Sequence, residues 1–81
     1  MKVHVRFFSF LRDTTGEASL AIDVPDAATV QGLLEVLMKR YPKLKDAERC
    51  VLVAVGLEYQ TKDFVLSAGD EVCLFPPVQG G

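Results

Sequence analysis

The sequence predicts an α+β domain, a mixed sheet of about five strands with one main helix lying across one face. Three observations predict it. The opening residues alternate polar and apolar side chains, a central segment repeats its apolar residues at helical spacing, and the last third returns to short apolar runs broken by turn residues.

Residues 2–8, KVHVRFF, have the period of a strand, with Val3, Val5 and Phe7 facing inward and Lys2, His4 and Arg6 facing out. SFLRDTTGE follows as a connection with room for one helical turn, punctuated by Gly16. Residues 17–24 put Leu20, Ile22 and Val24 on one face of a second strand, antiparallel to the first. His4 is accordingly a solvated strand residue. Next comes the helix. Thr29 has the chemistry of an N-cap, and Val30, Leu33, Leu34, Leu37, Met38 and Tyr41 then recur at helical spacing to form a core stripe. Lys39 and Arg40 suit the last turn, and Pro42 cannot continue the helix. Gly32 weakens this helix by about 1 kcal/mol relative to alanine, and close approach of helix to sheet would account for its presence.

Residues 50–55, CVLVAV, do not alternate and predict a strand buried on both faces. A short strand is expected around Glu58 and Tyr59, another over residues 64–66, a turn at SAGD, and a last strand at EVCLF. On that last strand Val72 and Leu74 face away from Cys73 and Phe75. Two strands, a helix, then two or three strands is the order of a β-grasp, ubiquitin-like roll. A ferredoxin-like split βαβ would need a second helix, for which KDAERC is too short. Residues 1–75 are read as this domain and residues 76–81 as a flexible tail.

Composition narrows the function classes. The chain has 81 residues, enough for one core and little else. Its hydrophobic fraction of 49 % with 25 % charged residues is that of a folded domain, not a disordered one. A net charge of −2 with dispersed signs carries no nucleic-acid footprint. The longest apolar run is too short for a bilayer, and MKVHVRFF is not a signal-type stretch, so neither a membrane nor export is expected and the cytoplasm is the expected location. Cys50 and Cys73 are widely spaced and only one histidine, His4, accompanies them, so no metal site is expected. Both cysteines are read as small buried hydrophobes in a reducing compartment.

The chemistry points to the C-terminal segment, FPPVQGG. Pro76 and Pro77 lack N–H groups, terminate the last strand and hold the following chain extended. Residues 76–81 can reach ~20–22 Å beyond the sheet. Gly80 and Gly81 present no side chains and can thread a narrow channel. A carboxylate at the tip is ionised and a poor electrophile, so it must be activated before it can react, in the first instance as a mixed anhydride formed from ATP. The chain has no phosphate-binding loop and no nucleophile–base pair. Activation therefore falls to a separate enzyme, and this chain is carrier rather than catalyst, with no bound cofactor and ATP used only by the activating enzyme.

LSAGDEVCLFPPVQGG, together with VRFFSFLRDTTG, resembles the small subunit of molybdopterin synthase, the sulfur carrier of molybdenum cofactor synthesis. The resemblance covers essentially the whole chain, and its most specific parts are Gly69-Asp70-Glu71-Val72, Phe75-Pro76-Pro77-Val78 and Gly80-Gly81. It implies that Gly81 is adenylated by an E1-like enzyme and converted to a thiocarboxylate, with sulfur from a desulfurase or rhodanese-like donor. The tail, Pro76, Pro77, Val78, Gln79 and Gly80, would then enter the active site of the large synthase subunit. Two carriers in succession would supply the dithiolene sulfurs to a cyclic pyranopterin monophosphate. Phe8, Arg12 and Phe75 match positions expected at the partner interface, and a heterotetramer is the implied assembly. Two departures stand out: Gln79 replaces a small Ser or Thr, and Gly56-Leu57 replaces an Asn-containing turn. A thiamine-pathway sulfur carrier, a ubiquitin-like modifier that forms isopeptide bonds, and a plain interaction module with an inert tail remain alternatives.

Overall fold

A computed structural model describes residues 1–47 and 50–76. The chain runs β1 (Lys2–Phe7), α1 (Phe10–Thr15), β2 (Ser19–Asp23), α2 (Val30–Arg40), a 3₁₀ segment (Pro42–Ala47), β3 (Leu52–Val55), β4 (Glu58–Tyr59) and β5 (Glu71–Phe75). The five strands form one sheet in the order β2-β1-β5-β3-β4. β1 and β5 pair in parallel at its centre, and the other neighbours pair antiparallel. This is the β-grasp expected from the element order, with α2 covering one face.

Alternation along β1 is obeyed residue by residue. Val3, Val5 and Phe7 are buried, while Lys2, His4 and Arg6 are exposed. The parallel register sets Val5 beside Val72 and Phe7 beside Leu74, so both central strands send their apolar residues to the same side. Against them α2 lays Val30, Leu33, Leu34, Leu37 and Met38, all buried. Tyr41, the C-cap residue of α2, meets the Phe7 ring edge-on at 5.9 Å. Leu11 from α1 and Leu44 from the 3₁₀ segment complete this core, and no polar side chain is buried among the described residues.

The start of α2 explains the segment before β5. Thr29 Oγ1 accepts from Gly32 N at 3.1 Å, as an N-cap should. The N–H groups of Val30 and Gln31 donate to the carbonyls of Phe64 and Lys62, each at 2.9 Å. Carbonyls that would otherwise feed a strand ladder thus satisfy the helix end. Residues 64–66, expected as a strand, accordingly form only an isolated bridge between Thr29 and Val65.

Four further expectations are corrected. In β3 only Val53 is buried, because the helix covers one side of the sheet and the other side of β3 lies open. Cys50 lies in a turn ahead of β3 and is exposed, whereas Cys73 is buried as expected. A Cβ on Gly32 would meet Thr29 Oγ1 at 3.7 Å and Ala28 Cβ at 3.9 Å, ordinary contacts, so close helix–sheet approach does not require glycine there. The connection after β1 is also more helical than one turn implied, forming α1 with Gly16 at φ 76° as its left-handed cap. No helix among the described residues is long and apolar enough to cross a membrane.

Candidate functional site

The face of the sheet away from α2 is built from the other half of the strand residues. Register places Arg6 of β1 between Ser19 of β2 and Cys73 of β5, and it places Cys73 beside Ala54 and Phe75 beside Leu52 of β3. Tyr59 of β4 pairs with Ala54 and so belongs to the same face. Toward β2 this face is polar, with His4, Arg6, Ser19 and Glu71 around a shallow depression. Toward the ends of β1 and β5 it becomes aromatic.

Phe8 follows the last residue of β1, and its N–H donates to the Leu74 carbonyl at 3.1 Å, extending the parallel ladder by one step. That step sets Phe8 beside Phe75. Their rings stack at 4.5 Å between centroids and 16° between planes. Tyr59 meets Phe75 edge-on at 6.1 Å, and the Arg6 guanidinium lies 5.6 Å from the centre of the Phe8 ring. Phe8 and Phe75 are half-buried by one another, and Tyr59 is 68 % exposed. Ser9 then takes φ 55° and ψ −137°, a conformation uncommon for a residue with a side chain. The turn leaves Phe8 on the open face while three residues later Leu11 enters the core.

The sequence-expected interface residues are therefore only partly brought together. Phe8 and Phe75 are in contact. Arg12 is exposed on α1 and is not in ring contact with the pair. Arg6 and Tyr59, which were not expected in the site, are. Period-2 alternation did carry the signal for Arg6, which shares its strand face with Phe8. Tyr59 joins only through the β3–β4 pairing. Pro76, the first residue of the tail, follows Phe75 directly; the tail positions Pro77, Val78, Gln79, Gly80 and Gly81 lie outside the described residues.

Burial pushes the Cys73 thiol up, Glu71 adds to the effect and Arg6 opposes it, so Cys73 is held as a neutral thiol rather than a thiolate nucleophile. Among the described residues no group of three or more His, Cys, Asp or Glu side chains could hold a metal ion. What remains is a cluster of aromatic side chains, edged by a cation, directly before Pro76.

The model of the ThiS family matches residues 5–81. The human molybdopterin synthase sulfur carrier subunit is 34 % identical over 83 residues, spanning 99 % of this chain and 94 % of its own. Among solved structures, a putative molybdopterin converting factor subunit 1 from Pyrococcus furiosus superposes with a TM-score of 0.88 at 34 % identity, covering 96 % of this chain and 99 % of that one. A Helicobacter pylori chain, solved in a complex of subunits 1 and 2 of the molybdopterin-converting factor, superposes with a TM-score of 0.69 at 26 % identity over the full length of both chains.

Proposed function

Since the chain belongs to the ThiS family, we propose that it is the sulfur-carrying subunit of a molybdopterin synthase. Its working group is the carboxylate of Gly81. A separate E1-like enzyme uses ATP to form the acyl adenylate. The persulfide of a desulfurase- or rhodanese-type donor then attacks the acyl carbon and expels AMP to give an acyl disulfide. A second thiol cleaves the S–S bond, leaving the thiocarboxylate on Gly81 and being itself oxidised to a disulfide with the donor cysteine. The large synthase subunit accepts the tail, and the thiocarboxylate sulfur bonds to the pterin precursor as an oxygen leaving group departs. Water then attacks the acyl carbon, breaking its C–S bond, leaving the sulfur on the pterin and restoring the carboxylate. The chain itself holds no cofactor and works in the cytoplasm.

The observation that supports this reading best is the Phe8–Phe75 stack at the root of the tail. Aromatic side chains left half-open on a rigid sheet are suited to anchoring a partner, because their large area is already ordered before binding. An anchor directly before Pro76 fixes where the tail leaves the docked domain. Gly80 and Gly81 can then pass into a channel too narrow for side chains.

Deletion of Gly81 tests the reading. Sulfur transfer to the pterin precursor should be abolished, while the melting temperature stays within about 2 °C of the full chain, since the tail is read as outside the packed domain. Incubated with activating enzyme, ATP and sulfur donor, the intact chain should gain a species heavier by the difference between sulfur and oxygen. Persistent carboxylate alone would overturn the carrier role. Adducts to lysine on a denaturing gel would point instead to a ubiquitin-like modifier.

A further inference from the structure

We propose that Arg6 selects the partner of the open sheet face by pairing with a carboxylate on the large subunit, an inference that rests on the sulfur-carrier reading above. The Arg6 guanidinium sits 5.6 Å from the Phe8 ring centre, and that ring is stacked on Phe75 at 4.5 Å. Seating a guanidinium on a ring leaves its in-plane N–H donors pointing outward, available to an acceptor. Within the described chain those donors are unused, because the Arg6 side chain takes part in no hydrogen bond or ion pair. Glu71 and His4 share the face, yet neither is paired with Arg6.

A partner that covers the aromatic stack must also cover the cation seated on it. Burying an unpaired guanidinium is strongly unfavourable. The fitting surface is therefore an apolar socket for Phe8, Phe75 and Tyr59 with an Asp or Glu at its edge, placed to accept two parallel N–H bonds from Arg6. Apolar contact with the rings supplies area, and the charge pair fixes register and excludes partners that lack the acid.

The test measures affinity of the full-length carrier for the purified large synthase subunit at several salt concentrations, using Arg6→Leu, Arg6→Glu and Phe75→Ala. Arg6→Leu should weaken binding about tenfold and flatten the dependence on salt, the signature of a lost ion pair. Arg6→Glu should weaken it further, by about a hundredfold, and lose the fall in affinity with salt. Melting temperatures of both Arg6 variants should stay near that of the parent, since the residue is exposed. If Phe75→Ala weakens the complex while both Arg6 variants bind with unchanged affinity and salt dependence, the carboxylate partner is wrong and the carrier reading stands. If Phe75→Ala and Arg6→Glu both bind like the parent, the open face is not the docking surface and the Arg6 proposal falls, while the carrier reading is decided by the thiocarboxylate assay.

Discussion

Phe7 and Phe8 are neighbours in the chain and stand on opposite faces of the same sheet. Phe7 is 2 % exposed, wedged against Tyr41 beneath α2. Phe8 is half-buried; its ring is stacked on Phe75 and lies near Arg6. The covered face holds the molecule together. The open face keeps its rings stacked but only half-buried. In a chain this small the core has little to spare, so the division has to be sharp.

The comparison is easiest to break by truncating the neighbours in turn. Phe7→Ala should cost about 3–5 kcal/mol of unfolding free energy, the range for an aromatic removed from a packed core. Phe8→Ala should cost about 1 kcal/mol, the worth of a partly exposed ring pair. Urea denaturation of the two variants checks this, and similar losses would mean that the faces do not differ as described. Next in size is Phe75→Ala, which should weaken binding to the large subunit by about 2 kcal/mol, as an aromatic anchor does. The same substitution should lower unfolding free energy by no more than about 1 kcal/mol. Titration calorimetry beside a melt separates the two quantities, and the reverse order would assign Phe75 to the core.

Two smaller effects should fall on the covered face alone. Thr29→Ala removes the side-chain acceptor for Gly32 N and should lower stability by about 1 kcal/mol without altering partner affinity. Gly32→Ala should raise stability by about 0.5–1 kcal/mol, because the added methyl meets only ordinary contacts and the helix gains a better former. A loss of stability in that variant would reinstate a close-packing role for the glycine.

How much of this was legible depends on the range of the interactions. Val30, Leu33, Leu34, Leu37 and Met38 announced α2 because helical periodicity is a local property, and Thr29 announced its start for the same reason. Residues 64–66 misled because their composition suits a strand while their neighbour in space is a helix end in need of acceptors. Residues 50–55 misled in a related way. An apolar run predicts two covered faces, but only Val53 of β3 is buried because the helix covers one side of the sheet. Phe8 and Phe75 entered as separate interface residues through family likeness, with no indication that they touch. Arg12 entered by the same route and stands apart from the stack.

Alternation and helical spacing, which need only a few consecutive residues, were enough to specify an α+β domain and the inward-facing residues of β1 and α2. The aromatic platform needed the fold. It exists because the first and last strands pair in parallel across more than sixty intervening residues, with Phe7 opposite Leu74, and because β4 folds back to bring Tyr59 to Phe75. Pairing at that separation is set by burial of the whole apolar face and the register it enforces. No local pattern encodes it, so the contact between Phe8, Phe75, Arg6 and Tyr59 became visible only once the sheet was assembled.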